Sequence, residues 1–312
     1  MPANLIAVVG ATGTGKSDLA IAIAKHVMSQ GKSAEIVNAD AMQLYRGMDI
    51  GTAKLALDQR QGIPHHLIDV LEITEESTAA QYQRLAREKI MELQASGVVP
   101  ILVGGSMLYL AAVLNNFDFP ERDSVLRAEL EAELSEHGPH YMHRKLSELD
   151  PIAASRIIPE NGRRIVRALE IVILTGEPFA AALPEKIDSW QPVLEIGLKL
   201  EREFLIPKLE QRVHRMWESG LVAEVEKLIP LGLRESKTAS VAIGYAQALA
   251  QLDQIYTEQE AMAQTIQLTQ RYARRQVSWF KRDERIHWLS ALDSNHSDQA
   301  FELVEQDGIL GS

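Results

Sequence analysis

The chain has 312 residues, of which 46% are hydrophobic and 24% charged, and its formal net charge is −11. These values are ordinary for a globular protein, and the length is about that of two average domains. The lack of cysteine excludes disulfides, Fe–S clusters, thiol nucleophiles and zinc sites built on cysteine. The acidic total argues against a nucleic-acid partner, although the clustering of basic residues matters more than their sum.

The N-terminal segment predicts a strand, a loop and a helix. Residues 4–10 form an apolar run typical of a buried strand, and residues 16–30 carry apolar side chains at helical spacing up to Gly31. The apolar start is short and lacks a basic lead-in, so it fits neither a signal peptide nor a membrane span. We therefore expect a cytoplasmic protein that makes no membrane contact.

The loop between this strand and helix matches the phosphate-binding pattern G-x-x-x-x-G-K-[ST], and its residues are Gly10, Ala11, Thr12, Gly13, Thr14, Gly15, Lys16 and Ser17. Glycines let backbone N–H groups converge on phosphate oxygens at the start of a helix. Lys16 supplies a cation, and the Ser17 hydroxyl is placed to bind Mg²⁺. We interpret the segment as a phosphate-binding loop (P-loop) rather than a flexible glycine turn. By itself it favours a nucleotide kinase or an NTPase.

Further strands and helices alternate along the next hundred residues. A strand at 34–38 ends close to Asp40, a helix at 77–94 presents Tyr82, Leu85, Ile90 and Leu93, and another strand occupies 98–103. The strands show no internal alternation of apolar and polar residues, which is typical of strands covered on both faces. The pattern predicts an α/β fold with a parallel sheet.

The second half of the chain is mainly helical. Residues 120–187 contain helical segments broken by glycine and proline, and we interpret them as a helical insertion domain. A strand at 193–200 returns to the sheet, so residues 1–119 and 188–312 form the α/β core and its helical C-terminal part. In that part, Thr257 and Glu260 form a capping box that opens a helix to about residue 281. The apolar face of this helix is predicted to contain Met262, Ile266, Tyr272, Val277 and Phe280.

The motifs, taken together, resemble the bacterial tRNA dimethylallyltransferases over nearly the whole chain. Besides the P-loop, the matching segments are DAMQLYRGMDIGTAK (40–54), PHHLIDV (64–70), GGSMLY (104–109), NGRRIVRALE (161–170), IGY (243–245) and RYARRQVSWF (271–280). The resemblance implies a P-loop-type parallel sheet core with a helical insertion domain for tRNA binding. It also implies transfer of a dimethylallyl group from dimethylallyl diphosphate to N6 of the adenosine immediately 3′ of the anticodon, with release of diphosphate. The implied cofactor is Mg²⁺, the partner is the anticodon stem-loop of tRNA, and the enzyme is expected to be a monomer.

The resemblance assigns chemistry to three residues. Asp40 is the implied general base, since an exocyclic adenine amine is a poor nucleophile that a carboxylate can assist by accepting its proton. Thr12 is placed at the oxygen that bridges the diphosphate to the allyl carbon, and Arg212 neutralises charge on the departing diphosphate. From the residues alone, Asp40 also fits a magnesium ligand or a helix N-cap. Thr12 would then be a loop residue without a specific role, and Arg212 would be a charge exposed to solvent.

The resemblance also implies a set of tRNA contacts: Asp40, Ala41, Met42, Gln43, Ser106, Arg127, Arg163, Arg164, Ile165, Val166 and Arg167. Gln43 carries an amide that can read an adenine edge. The three arginines of 163–167 fall on one face of a predicted helix, where the alternative is ion pairing with Glu160 and Glu170. Ala41 stands where the family usually has serine, so this chain lacks one hydroxyl in the tRNA-facing segment.

Two other clusters have a functional and a structural interpretation. Residues 271–285, at the end of the C-terminal helix and just after it, contain six basic residues and only two acidic ones. This local excess predicts an RNA-backbone patch formed by Arg271, Arg274, Arg275, Lys281, Arg282 and Arg285. Its aromatic residues Tyr272 and Phe280 fall on the core side, which favours packing over base stacking. The pair His65-His66 lacks a third ligand at a diagnostic spacing, so a structural role is favoured over a metal site.

Three other functions remain open from the sequence. An adenylate dimethylallyltransferase would perform the same chemistry on a free nucleotide, but it would need neither the insertion nor the basic helix. A P-loop nucleotide kinase would need an adenine pocket and lid arginines. A non-catalytic RNA-binding protein would use the P-loop only as an element of the fold.

Overall fold

The computed structural model describes residues 5–117, 119, 123–179 and 188–311. These residues form two compact units, of which the larger comprises Met1–Asn115 with Ser189–Ser312 and the smaller comprises Asn116–Asp188. The sequence placed the corresponding boundaries after residues 119 and 187. Residue 4 of the predicted first strand and residues 120–122 and 180–187 of the predicted insertion lie outside the described residues.

The larger unit is built on one parallel sheet. Its strands are β1 (Leu5–Val9), β2 (Ser33–Asn38), β3 (His65–His66), β4 (Val98–Gly104), β5 (Val193–Lys199) and β6 (His287–Ser290), in the order β3-β2-β4-β1-β5-β6. Val8 of the central strand β1 lies opposite Val103 on one side and Ile196 on the other. The predicted α/β class is confirmed. The edge strands β3 and β6 were not predicted, because two and four residues are too few to show a period.

Helices cover both faces of this sheet. The first three are α1 (Lys16–Ser29), α2 (Ala79–Ala95) and α3 (Met107–Leu114). Alternate residues of β1 face opposite layers: Ile6 and Val8 pack with α1, whereas Leu5, Ala7 and Val9 pack with α2 and α3. The predicted core face of α2 needs one correction, since Leu85 is exposed and Ala86 is buried in its place. Ala86 belongs to the same buried cluster as Leu5, Ala7 and Val9.

The smaller unit is helical and has its own core. It contains α4 (Ser124–His137), α5 (Pro139–Leu149), α6 (Pro151–Arg156) and α7 (Gly162–Thr175). Asp123, Asp150 and Asn161 cap the N-termini of α4, α6 and α7 with their side chains. The apolar faces enclose Leu130, Met142, Leu146, Ile165, Val166 and Leu169.

The chain then completes the larger unit with α8 (Arg202–Glu218), α9 (Leu221–Leu228), α10 (Tyr245–Leu252), α11 (Glu258–Phe280) and α12 (His296–Asp307). Thr257 and Glu260 form the predicted capping box of α11. The predicted apolar face of α11 is only partly right, because Phe280 is buried while the other four side chains are half-buried. The most buried positions are instead Ala261, Thr265, Ala273, Gln276 and Phe280. Among the described residues, no helix is both long and apolar enough to cross a membrane.

Candidate active site

The P-loop leaves the carboxyl end of β1 and leads into α1, at the edge of the sheet where ligands of open α/β folds bind. Gly15 precedes α1 with a left-handed φ of 99°. A Cβ atom on Gly10 would lie 2.5 Å from the carbonyl oxygen of Leu198. Glycine is therefore required at both positions, by conformation at the first and by close backbone approach at the second. No side chain caps the start of α1, so its terminal N–H groups are available to an anion.

Lys16 is held inside the loop in this structure. Its Nζ donates a hydrogen bond of 2.7 Å to the carbonyl oxygen of Ala11. Burial lowers the pKa of Lys16 to about 8, the carboxylate of Asp40 acts in the opposite direction, and the Arg212 guanidinium lowers it further. A bound anion would favour the charged form of this lysine.

Arg212 and Thr12 meet at the P-loop. Arg212 Nη1 donates to Thr12 Oγ1 over 3.1 Å, and Arg212 Nη2 lies 3.5 Å from the carbonyl oxygen of Thr52. Burial lowers the pKa of Arg212, and the charge of Asp40 opposes that shift. Arg212 is therefore not the solvated charge that its sequence surroundings suggest.

Asp40 lies in the turn that follows β2. Its Oδ1 accepts a hydrogen bond of 3.0 Å from the backbone N–H of Met42, and its own N–H donates to Asn38 Oδ1 over 3.0 Å. The Asn38 amide also donates to the carbonyl oxygen of Leu67. No helix begins at Asp40, so the N-cap interpretation is wrong. The buried Asn38 instead holds this turn with the carboxylate facing the P-loop cations.

These groups share one cavity of about 620 Å³. Its lining includes Thr12, Lys16, Ser17, Asp40, Gln43 and Arg212. The Gln43 Nε2 atom donates to the carbonyl oxygen of Thr52, 3.2 Å away. The cavity therefore combines an anion-binding end, formed by the P-loop and Arg212, with a carboxylate and an amide.

Three neighbouring residues of the proposed tRNA set contact other parts of the protein. The backbone N–H of Ala41 donates to Ser106 Oγ over 2.9 Å, so Ser106 ties the start of α3 to the Asp40 turn. Met42 is half-buried and packs against the core formed by α8, α9 and α10. None of Ala41, Met42 and Ser106 lines the cavity.

In the smaller unit, the proposed tRNA residues divide by exposure. Arg163 and Arg164 lie at the start of α7, and both are exposed. Arg167 Nη1 and Arg127 Nη1 lie 2.8 and 3.1 Å from the fully buried Glu170 carboxylate, so pairing with Glu170 is observed for these two. The side chains of Ile165 and Val166 lie in the core of this unit, where they pack with its other helices. They therefore present no surface to a nucleic acid.

The histidine pair has structural partners. His65 Nδ1 lies 2.8 Å from the carbonyl oxygen of Ile63, and His66 Nε2 lies 2.6 Å from Glu35 Oε2. Across the described ranges, no group of three or more His, Asp or Glu residues could hold a metal ion. Both histidines therefore have partners within the fold, as expected for a structural role.

Lys54 and Gln276 are two site residues that the sequence did not single out. The buried Lys54 Nζ contacts Asp49 and Asp69 carboxylates at 2.6 Å each and the Tyr45 carbonyl oxygen at 2.9 Å. These bonds fix the loop that forms one wall of the cavity. Gln276 of α11 accepts a hydrogen bond from the backbone N–H of Thr12. In the sequence, the one sign of its role is that a polar residue stands on the core face of the helix.

The oxygen groups near the P-loop fit a magnesium ion that is shared with a phosphate ligand. Ser17 and Asp18 are exposed at the cavity, and Asp40 lines it as well. Mg²⁺ prefers oxygen ligands and usually binds through one or two protein groups, phosphate oxygens and water. Such a site does not need a cluster of carboxylates.

A family model described as IPP transferase matches residues 43–283 of this chain. The chain belongs to the IPP transferase family. Curated relatives named tRNA dimethylallyltransferase include one from Thermobifida fusca, which is 53% identical over 301 residues covering 96% of this chain and 94% of the relative. Another, from Streptomyces coelicolor, is 52% identical and covers 97% of this chain and 96% of the relative.

Solved structures similar to this IPP transferase family member agree in fold. The full-length tRNA isopentenylpyrophosphate transferase from Bacillus halodurans has a TM-score of 0.70 and 36% identity, with 98% of both chains covered. A eukaryotic dimethylallyltransferase, described as acting on tRNA, has a TM-score of 0.79 and 27% identity over 95% of this chain and 77% of that chain. The likeness extends over the P-loop core and the helical unit alike.

Proposed function

We propose that this IPP transferase family member transfers a dimethylallyl group from dimethylallyl diphosphate to N6 of the adenosine immediately 3′ of the anticodon in tRNA. The observation that carries the proposal is the meeting of a P-loop, Arg212 and Asp40 in one cavity. A phosphate site alone would suit a kinase, but the carboxylate facing it supplies a base for an amine nucleophile. The names of the relatives specify the same donor group and the same acceptor molecule.

The donor end of the cavity suits a diphosphate. Backbone N–H groups at the start of α1, Lys16 and Arg212 together offer donors and positive charge to its oxygens. The Thr12 hydroxyl, which Arg212 contacts, would donate to the oxygen that bridges the diphosphate to the allyl carbon. These contacts strengthen as the bond between that oxygen and the carbon breaks, because negative charge then grows on the leaving diphosphate.

The acceptor end uses Asp40. The adenine N6 forms a bond to C1 of the dimethylallyl group while the C1–O bond breaks, and the diphosphate leaves with that electron pair. N6 then carries an excess proton, which passes to the carboxylate of Asp40. The adenine must leave its stack to reach the cavity, and an unpaired loop makes that extrusion easier than a duplex would. Gln43 lines the same cavity and offers an amide to the base.

Mg²⁺ is the proposed cofactor, and Ser17 is its proposed protein ligand. The ion would supply positive charge to the diphosphate oxygens. The protein's own contribution to binding is then the P-loop N–H groups with Lys16, which can be tested separately by substitution.

The proposed RNA surface has one part on each unit. On the smaller unit it comprises the arginines at the start of α7, with Arg127 and Arg167 held by Glu170. On the larger unit it comprises the basic residues of α11 and those that follow it, several of which are exposed. Basic clusters of this kind bind phosphate backbones even on an acidic protein. An anticodon stem-loop as partner, a monomeric state and a cytoplasmic location are parts of the proposal.

Separate incubations test the function. The protein and Mg²⁺ are given labelled dimethylallyl diphosphate with tRNA, with AMP, or with tRNA whose adenosine 3′ of the anticodon is replaced by guanosine. A further incubation supplies labelled ATP with nucleoside monophosphates. Label in the tRNA that keeps this adenosine, and in no other acceptor, is expected. Label in AMP would indicate an adenylate prenyltransferase, and phosphoryl transfer from ATP would indicate a kinase.

A further inference from the structure

Gln276 places a buried amide against the P-loop. The residue lies on α11, and only 1% of it is exposed. Its Oε1 accepts a hydrogen bond of 2.9 Å from the backbone N–H of Thr12, and its Nε2 donates one of 2.7 Å to the carbonyl oxygen of Gly105. One side chain thus bridges the loop after β1 and the turn after β4.

The two partners fix the orientation of this amide. A backbone N–H can only donate and a carbonyl oxygen can only accept, so the amide oxygen must face Thr12 and the amide nitrogen must face Gly105. A neutral group that both donates and accepts is needed at this point. A carboxylate can satisfy Thr12 but not Gly105, and an aliphatic side chain leaves two backbone groups unpaired.

Gly105 is shaped to receive this amide. A Cβ atom there would lie 2.4 Å from Gln276 Nε2, closer than the two atoms can approach. The φ of Gly105 is not in the left-handed region, so the backbone conformation does not require glycine. The close approach of Gln276 is the main reason for the glycine, and the Gly10 carbonyl oxygen, 3.2 Å from the same Cβ position, adds to it. Gly105 and Gln276 thus form a matched pair.

The bridge reaches both reacting ends of the proposed site. Thr12 is held through its N–H by Gln276 and through its hydroxyl by Arg212. One turn earlier on α11, the side chain of Tyr272 lies beside Ser106, whose hydroxyl accepts from the N–H of Ala41 next to Asp40. The same helix is therefore bonded to the loop that holds Thr12 and lies next to the residue that supports the Asp40 turn.

We propose that Gln276 is a positioning residue for the transfer reaction, which fixes the Thr12 hydroxyl at the leaving diphosphate and connects the P-loop to the basic helix α11. The inference rests on the proposed function for its kinetic consequences. Its structural consequence, an ordered P-loop, can be measured with inorganic pyrophosphate alone. The position of the Thr12 hydroxyl matters because a shift of about 1 Å in a reacting group can lower the rate roughly a hundredfold.

The test compares Gln276→Glu, Gln276→Leu and the matched control Gln264→Glu, which changes an exposed glutamine of the same helix. A protonated carboxyl at position 276 can donate to Gly105 and accept from Thr12, whereas the ionised form cannot donate. The rate of Gln276→Glu relative to wild type should therefore fall as pH rises through the pKa of the introduced carboxyl. We expect a fall of roughly tenfold or more between pH 6 and pH 9 in single-turnover transfer to tRNA. Magnesium pyrophosphate affinity should follow the same pH trend.

Gln276→Leu should be slow at every pH, with a constant ratio to wild type, and Gln264→Glu should match wild type throughout. Melting curves identify any variant that does not fold. A second route uses the matched pair: Gly105→Ala should slow transfer in the wild-type chain and have a clearly smaller effect once Gln276→Ala has removed the amide. The proposal would be overturned if the ratio of Gln276→Glu to wild type did not change with pH in either assay. Full additivity of the Gly105 and Gln276 changes would overturn it as well. Failure of wild-type transfer would instead refute the function while the pyrophosphate measurement still reports on Gln276.

Discussion

Arg212 and Thr12 lie 200 residues apart in the chain, yet the guanidinium of one donates to the hydroxyl of the other over 3.1 Å. The packing of α8 on the P-loop makes this contact possible. Leu205 and Leu209 of α8 pack on Ala11, and a Cβ atom on Gly13 would lie 2.8 Å from Leu209. The glycine admits Leu209, and Arg212 follows about one helical turn later, at the loop.

Replacement of Arg212 tests its proposed role at the leaving group. Arg212→Ala should slow single-turnover transfer by roughly a hundredfold or more, the scale for losing one preorganised donor to developing charge. Arg212→Lys should recover part of the loss, because it keeps the charge but not the planar fork of donors. The exposed Gln211→Ala on the same helix is the control. Equal rates for Arg212→Ala and wild type would remove this residue from the chemistry.

The pKa of about 8 for Lys16 predicts a pH dependence of donor binding. An anion binds best to the charged lysine, so pyrophosphate affinity should fall as pH rises through about 8, by up to about tenfold per pH unit above it. Calorimetric titration in buffers with different ionisation enthalpies should show proton uptake on binding near pH 8. Lys16→Arg keeps its charge over this range and controls for titration of pyrophosphate itself. The same pH profile for both proteins would show that Lys16 does not titrate.

Local sequence predicted the backbone structure around the P-loop well because the motif depends on neighbours in the chain. The strand, the loop at residues 10–15 and α1 appear where expected, and glycine conformation explains the pattern. Gln276 was missed because its role depends on Thr12 and Gly105, which are far away in sequence. A polar residue within an apolar helix face gives no indication of which backbone groups it meets.

Buried charge in the sheet could not be predicted either. Glu195 lies in the middle of β5, in a strand that reads as apolar. Burial raises the pKa of Glu195 to about 7, the nearby Asp283 acts in the same direction, and Arg285 opposes both. Arg285 Nε lies 3.3 Å from Glu195 Oε1, in a geometry that leaves this oxygen without a hydrogen bond. Only the folded chain brings these three groups together.

Glu195 should make stability fall with rising pH. Its pKa is about 7 in the folded chain and near the ordinary value of 4.5 when unfolded. A carboxyl whose pKa is raised by folding contributes stability that is fully present below pH 4.5 and is lost as pH rises through 7. Between pH 6 and 8 the loss should be about 1 kcal/mol. Urea unfolding of wild type and Glu195→Gln should show this difference in slope, and parallel profiles would contradict the shifted pKa.

The arginines at the start of α7 should contribute to RNA affinity through phosphate contacts. Arg163→Ala combined with Arg164→Ala should lower the slope of log affinity for tRNA against log salt by about two units. Pyrophosphate binding in the larger unit should not change. Arg167→Ala is a different kind of variant, because it leaves the buried Glu170 with one arginine fewer and should reduce stability as well. An unchanged salt slope for the double variant would place the RNA elsewhere.

Asp40→Asn in rapid-quench transfer is the most direct measurement of the proposed chemistry. The amide keeps the size and polarity of the side chain but gives up the oxygen that accepts a proton from N6. With labelled dimethylallyl diphosphate and tRNA in a single turnover, the variant should be slower than wild type by roughly a hundredfold or more. Pyrophosphate and tRNA affinities should stay near those of wild type, because the P-loop, Lys16 and Arg212 remain in place. Transfer at the wild-type rate would contradict Asp40 as the base, and loss of pyrophosphate binding would make it a magnesium ligand instead.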